Sequence, residues 1–120
     1  MRILITGSRD WDDKEIIDTA LTEWWREVGY PNEVTLVSGA CPTGADRMCE
    51  RSAAALRFRV ERYPADWETH GKRAGFIRNS EMVKLGADVC FAFIKNGSRG
   101  ASHTADLAVK AGIPTIRIEK

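Results

Sequence analysis

The sequence predicts an α/β fold in which helices cover both faces of a five-stranded parallel sheet. Five short apolar runs alternate along the chain with four segments whose apolar residues recur at helical spacing. Strands that alternate with helices pair in parallel, because each helix carries the chain back across the sheet in a right-handed crossover. At 120 residues the chain has the length of one domain with one core, and we expect residues 1–120 to form it.

The predicted strands differ in the burial that their residues indicate. Residues 3–5 and 88–94 are almost continuously apolar, which is typical of central strands covered on both faces. Residues 34–37 form a shorter strand of the same kind. Residues 59–63 alternate in polarity and should lie at a sheet edge, and residues 115–118 form the last strand.

The four predicted helices follow the first four strands. The first should begin at a capping box, in which the Asp12 side chain accepts a hydrogen bond from a free backbone amide and the Glu15 side chain reaches back toward Asp12. Thr43 should cap the second helix, and a polar loop at 67–73 should lead into the third. The predicted helical ranges are residues 16–28, 45–56, 72–85 and 104–111.

Small, hydroxyl-bearing and cationic residues collect where the predicted strands end. The carboxyl ends of parallel strands meet at one rim of the sheet, and ligands of such folds bind there. A glycine-rich turn that leads into a helix offers unpaired amides and the positive end of the helix dipole, which together favour an anion. The sequence therefore predicts an anionic or nucleotide-like ligand at this rim. The segments concerned are Gly7-Ser8-Arg9, Ser38-Gly39-Ala40, Pro64-Ala65-Asp66 and Gly97-Ser98-Arg99-Gly100.

Composition argues against several other classes of protein. The net charge of +1 provides no overall field to attract nucleic acid or a membrane surface. No apolar run approaches membrane-spanning length and no leader precedes the first strand, so we expect a cytoplasmic protein. Cys41, Cys49 and Cys90 lack the paired spacing of a zinc site, so we predict reduced thiols and no metal. The spaced glycines of dinucleotide enzymes and the Gly-Lys-Ser/Thr phosphate loop are absent, which disfavours a conventional dehydrogenase or ATPase.

A set of motifs in this order resembles one known family over nearly the whole chain. The motifs are Ile5-Thr6-Gly7-Ser8-Arg9, Ser38-Gly39-Ala40 with Gly44-Ala45-Asp46-Arg47, Tyr63-Pro64-Ala65-Asp66-Trp67, Gly75 with Arg78-Asn79 and Met82, and Gly97 to Gly100 followed by Thr104-Ala105-Asp106. They resemble the YspA-like, cpYpsA-related branch of the SLOG superfamily. Its members are small Rossmann-like proteins related to the Lonely Guy phosphoribohydrolases and to the DprA core.

The resemblance implies a nucleotide-derived ligand at the same rim, and no other cofactor is predicted. Backbone amides of Gly7, Gly39 and Gly100 would hold a phosphate. Arginines would neutralise it, and Asp46 or Asp66 would accept hydrogen bonds from ribose or base. The residues predicted to bind the ligand are Gly7, Ser8, Arg9, Ser38, Gly39, Ala40, Gly44, Asp46, Asp66, Arg78, Asn79, Gly97, Ser98, Arg99, Gly100 and Thr104.

Three functions compete on this reading. The leading hypothesis is a cytosolic domain that binds or senses a nucleotide-derived molecule. The alternative is a nucleotide hydrolase that cleaves an N-glycosidic or phosphate bond. In it Arg78 would correspond to the arginine of the Lonely Guy enzymes, and Asp106, Glu81 or Asp66 would act as acid or base. The loop after the fourth strand departs from the pattern of those enzymes, since Lys95-Asn96 replaces their proline and Asp106 stands one residue before the expected glutamate.

The third hypothesis is a DprA-like single-strand DNA binder, which the near-neutral charge disfavours. Its basic patch would consist of Arg57, Arg59, Arg62, Lys72 and Arg73. The resemblance also implies a homo-oligomer, and the adjacent pair Trp24-Trp25 would suit a subunit contact.

Overall fold

Five parallel strands form the centre of the fold in the order β3-β2-β1-β4-β5, as a computed structural model of residues 1–120 describes it. This confirms the predicted α/β fold with a five-stranded parallel sheet. The strand predicted from its alternating polarity to lie at an edge does so. The strands are β1 (Arg2–Gly7), β2 (Thr35–Ser38), β3 (Arg59–Arg62), β4 (Val89–Ile94) and β5 (Thr115–Glu119).

The strand order reverses between β1 and β4. The chain first builds outward from β1 to β3 and then crosses to the other side of β1. At such a point the connections on either side diverge and leave a crevice at the carboxyl ends of the strands. Gly7 pairs with Phe93 there, so the crevice opens at Gly7.

Five helices cover the sheet, one more than the sequence predicts. The additional helix, α3, lies where a polar loop was predicted. The prediction missed it because α3 has only four residues, with no apolar period to reveal it. Asp66 caps α3, since its Oδ1 accepts from the Thr69 amide at 3.1 Å. The helices are α1 (Lys14–Glu27), α2 (Gly44–Ala55), α3 (Trp67–His70), α4 (Ala74–Lys84) and α5 (Arg99–Lys110), and a 3₁₀ turn, Gly71–Arg73, joins α3 to α4.

Two helix starts differ from the prediction. Asp13, not Asp12, caps α1, because its Oδ1 accepts from the Ile16 amide at 3.2 Å. Asp12 forms an ion pair with Lys95 instead, at 3.2 Å. Thr43 occupies the N-cap position of α2, but its hydroxyl donates to the Arg9 carbonyl at 3.2 Å and does not cap the helix.

Helix α5 begins at Arg99, so Gly100 and Thr104 are helical and not part of a long loop. Thr104 is fully buried, and its hydroxyl donates to the carbonyl of Gly100 at 3.2 Å. The predicted loop is therefore limited to residues 95–98. The start of α5 lies at the rim as a consequence.

The alternation of side chains along β1 divides the core into two layers. Ile3 and Ile5 pack with the buried faces of α1 and α2. Leu4 points the other way and packs in a cluster with Met82 of α4 and Ala108 of α5. No helix is both long and apolar enough to cross a lipid bilayer.

The adjacent tryptophans of α1 pack with the core. Trp24 is 9% exposed. The indole of Trp25 donates to the Pro31 carbonyl at 3.1 Å and packs edge-on against Tyr30 and Phe58. Both rings therefore contribute to the packing on the α1 side of the sheet.

Candidate functional site

A cleft of about 1040 Å³ opens at the carboxyl ends of the strands, at the point where their order reverses. Its walls come from the end of β1, the β2–α2 and β3–α3 loops, the first turns of α4 and the start of α5. The volume is at the upper end of the range of small-molecule sites. The rim inferred from the sequence is thus a concave surface large enough for a nucleotide.

The structure brings nine of the sixteen predicted ligand residues to this cleft. They are Gly7, Arg9, Gly39, Ala40, Asp46, Arg78, Asn79, Ser98 and Gly100. The remaining seven lie outside its lining. They are Ser8, Ser38, Gly44, Asp66, Gly97, Arg99 and Thr104.

Ser8 and Ser38 are buried, and their hydroxyl groups hold the rim together. Ser8 Oγ accepts from the Lys95 amide at 2.7 Å and donates to the Lys95 carbonyl at 3.2 Å, which ties the end of β1 to the end of β4. Ser38 Oγ donates to Glu50 at 2.7 Å and accepts from the Ala40 amide at 3.1 Å. Their partners are all within the protein, so both serines shape the site without facing it.

Gly7 lets helix α2 approach the first strand. A Cβ on Gly7 would lie 2.2 Å from the Cβ of Ala45 and 2.9 Å from the carbonyl oxygen of Phe93. Any side chain at this position would push the start of α2 off the sheet. The glycine therefore sets the position of one cleft wall in addition to lining it.

Arg78 lies at the centre of the cleft and is held on two of its three nitrogens. Its Nε donates to Asn79 Oδ1 at 2.8 Å, and its Nη1 donates to the carbonyls of Gly39 and, at 3.4 Å, Tyr63. The third nitrogen, Nη2, donates to no group of the protein, and no carboxylate lies within ion-pair distance. Burial lowers the pKa of this half-buried guanidinium, and nearby Asp46 opposes the shift.

Asp46 lies across Gly39 from Arg78. A Cβ on Gly39 would be 2.8 Å from Arg78 Nη1 and 3.1 Å from Asp46 Oδ2, so only glycine fits between the two groups. Asp46 is 7% exposed, and its one hydrogen bond comes from the Cys41 amide to Oδ2 at 3.1 Å. Burial raises the pKa of Asp46 to about 6, against the opposing effects of that amide and of Arg78.

The raised pKa of Asp46 predicts a specific dependence of stability on pH. The carboxyl titrates at 3.8 in an ordinary environment and at about 6 in the fold. Between these values the folded protein retains a proton that the unfolded chain has lost, so this group's contribution to stability falls as pH rises. Asp46→Asn keeps an acceptor for the Cys41 amide but does not titrate. One pKa unit corresponds to about 1.4 kcal/mol. As the pH rises from about 4 to about 7, the free energy of unfolding of the wild type should therefore fall by up to about 3 kcal/mol relative to that of the variant.

Urea unfolding of the wild type and Asp46→Asn at a series of pH values from about 4 to about 7 measures this difference. Other carboxylates, such as Asp13 and Asp66, have lowered pKa values and oppose the trend, but they are common to both proteins and cancel. A difference in stability that stays constant over the series would contradict the assignment.

Free amides and cations make the cleft a favourable environment for an anion. The amides of Arg99, Gly100 and Ala101 donate to no protein group, as is usual in the first turn of a helix, and Ser98 does not cap them. The Gly39 amide also has no acceptor. Among the lining side chains the cations outnumber the carboxylates: Arg9, Lys72, Arg78 and Lys95 against Asp10 and Asp46.

Two of the three predicted catalytic residues do not reach the cleft. Asp106 is exposed on α5 and forms an ion pair with Arg117 of β5. Glu81 is exposed on α4 and is not part of the lining. Asp66, the other candidate acid or base, is occupied as the cap of α3. Arg78 alone of the predicted catalytic set faces the cleft.

Sequence reasoning missed several cleft residues, some of which carry a recognisable signal. Lys95 directly follows β4 and so had to lie at the carboxyl end of the sheet. Gly75 and Met82 share one face of α4 with the predicted residues Arg78 and Asn79, at the spacing i, i+3, i+4, i+7. The aromatic residues of the cleft, Trp67 of α3 and Phe76 of α4, carry no such signal. Helix α3 is too short to show an apolar period.

Comparisons with known proteins agree with this architecture. A family model described as the YspA, cpYpsA-related SLOG family matches residues 1–70, a range that holds Gly7, Gly39 and Asp46 and ends before Arg78. The gene 61 protein of Mycobacterium phage D29 is 45% identical to this chain in an alignment of 120 residues. The alignment covers 96% of this chain and 94% of that protein. No solved structure matches the chain significantly.

Proposed function

The chain belongs to the YspA, cpYpsA-related SLOG family, and from this premise we propose that its cleft binds a nucleotide or nucleotide-derived small molecule. In this proposal the protein is a binding or sensing domain. It would act in the cytoplasm, an environment that suits its three free cysteines.

Arg78 is the observation that carries the proposal. Removing a guanidinium from water without an ion-pair partner costs stability, and a cation perturbed in this way in a cleft is a candidate binding group. Its position is fixed by Gly39, Tyr63 and Asn79, while Nη2 stays open. A phosphate or a similar oxyanion would accept hydrogen bonds from Nη2 and supply the missing negative charge.

The start of α5 provides a second anion contact on the same cleft. Its three unpaired amides and the positive end of the helix dipole favour a phosphate oxygen, and Arg9 adds positive charge on the same cleft. Asp46 supplies the complementary chemistry, since Oδ1 is without a partner and would accept from a ribose hydroxyl or a base amine. Phosphate donors and a sugar acceptor within one cleft are what recognition of a nucleotide requires.

A hydrolase is the second candidate, and Asp46 is the observation that favours it. A buried carboxyl with a pKa of about 6 beside an arginine has the properties of a general acid or base. In that case Arg78 would hold the phosphate while Asp46 exchanges a proton with the leaving base or with water. The same cleft residues would then bind the nucleotide and also turn it over.

Ligand-observed NMR separates the two candidates. AMP, ADP, NAD and ADP-ribose are each mixed with the purified protein and followed for several hours. Saturation transfer to one compound without new signals supports the binding domain. New signals from free base or ribose phosphate that are lost in Asp46→Asn support the hydrolase. Absence of saturation transfer and of turnover for every compound would contradict the proposed function.

A further inference from the structure

Two large aromatic side chains on the cleft wall remain without a role in the function proposed above. Trp67 of α3 is 50% exposed and Phe76 of α4 is 47% exposed, and both line the cleft. The other tryptophans are covered: Trp11 and Trp24 are buried, and Trp25 packs against its neighbours. Exposed aromatic surface that lines a concave site is typical of ligand binding.

Gly75 places the ring of Trp67 next to the open nitrogen of Arg78. A Cβ on Gly75 would lie 3.6 Å from Trp67 Cη2 and 3.9 Å from Arg78 Nη2. The absence of a side chain at this position leaves a slot between the indole and the guanidinium. A planar group that entered the slot would lie between the indole ring and a cation.

Phe76 follows Gly75 on α4 and packs against α5. Its ring packs edge-to-face on His103 of α5, with 4.7 Å between the centroids and 85° between the planes. The contact joins α4 to the start of α5, where the unpaired amides lie. Both exposed rings therefore line the same cleft as the guanidinium of Arg78 and the start of α5.

We infer that Trp67 and Phe76 form a stacking surface for the aromatic base of the ligand, whose phosphate or ribose faces Arg78. This inference rests on the proposed nucleotide-binding function and narrows it to ligands that carry an aromatic base. Stacking depends on a π-face and not on hydrogen-bond pattern, so the surface selects for the presence of a base more than for its identity. Base-free sugar phosphates would lack this contact.

Titration calorimetry with AMP and with ribose 5-phosphate tests the inference. Trp67→Ala should weaken AMP binding by about 5- to 150-fold, the range measured for removal of one aromatic stacking partner. It should leave ribose 5-phosphate binding unchanged. Trp67→Phe retains a π-face and should stay within a few-fold of the wild type. Leu85→Ala removes an apolar side chain that is 53% exposed outside the cleft lining, and serves as the matched control.

Three results would overturn the inference, and they point to different errors. If Trp67→Ala leaves AMP binding unchanged while Arg78→Ala abolishes it, the nucleotide function stands and the stacking surface is wrong. If Trp67→Ala changes self-association in sedimentation velocity but not AMP binding, the ring belongs to a subunit contact. If the wild type binds neither AMP nor ribose 5-phosphate, the inference fails together with the function on which it rests.

Discussion

Arg78→Ala is expected to weaken nucleotide binding by roughly 30-fold or more, with only a small effect on stability. Truncating one partner of a desolvated, hydrogen-bonded charge pair costs about 2–5 kcal/mol, and tenfold in affinity corresponds to about 1.4 kcal/mol. The protein itself contributes no ion pair to this guanidinium, so the ligand would be its main anionic partner.

The stability effect of Arg78→Ala should be small because two contributions oppose each other. The variant loses the hydrogen bonds to Gly39, Tyr63 and Asn79, each of which contributes about 1 kcal/mol. It also removes a charge whose lowered pKa indicates a cost of burial. We expect the free energy of unfolding to change by less than about 2 kcal/mol, since the two effects partly cancel.

Two further variants identify the cause of the lost affinity. Arg78→Lys keeps the charge but not the planar fork, so its affinity should lie between those of the wild type and the alanine variant. Arg51→Ala removes an exposed arginine of α2 outside the cleft lining and should bind as the wild type does. Equal affinities for Arg51→Ala and Arg78→Ala would contradict a specific role for Arg78.

Gly44→Ala is expected to destabilise the fold by about 3 kcal/mol or more. Gly44 has a φ of +70°, which costs an L-residue roughly 1–2 kcal/mol. Its Cβ would also lie 2.3 Å from the carbonyl oxygen of Ser8 and 2.4 Å from that of Arg9. These are backbone atoms of the β1–α1 loop, so this loop and the start of α2 would have to separate. Thermal unfolding should show a midpoint roughly 10 °C or more below that of the wild type.

Gly97→Ala separates the conformational cost at Gly44 from the steric one. Gly97 has a similar φ of +63°, but a Cβ there would meet no atom within 4 Å. This variant should lose only the conformational part, about 1 kcal/mol. If the two variants lose the same stability, the close approach of the loops at Gly44 does not contribute as the geometry indicates.

The fold could be predicted because its signals are local and agree with one another. The apolar stretches of β1 and β4 could only be strands covered on both faces, and the alternating polarity of β3 placed it at an edge. The sequence signals did not decide between adjacent residues that suit the same role, such as the N-cap of α1. Asp12 and Asp13 both fit the capping pattern, and only the contact of Asp13 Oδ1 with the Ile16 amide shows which of them caps α1.

The site could be predicted only as far as its place in the fold. The rim followed from the parallel topology, and the resemblance pointed to Arg78. Serines, however, serve equally well as ligands and as internal clamps, so Ser8 and Ser38 could be assigned only from their partners in three dimensions. Trp67 and Phe76 lie on different elements, and no spacing in the sequence relates them to the cleft.

The most direct test of the account is a titration of ¹⁵N-labelled protein with AMP, followed by its amide and arginine Nε resonances. We predict that the largest shifts occur at Gly39, Gly100 and Ala101 and at the Nε of Arg78, which line or enclose the cleft. Binding with shifts confined to another surface, such as the exposed edge of β3, would contradict the proposal that this cleft is the nucleotide site.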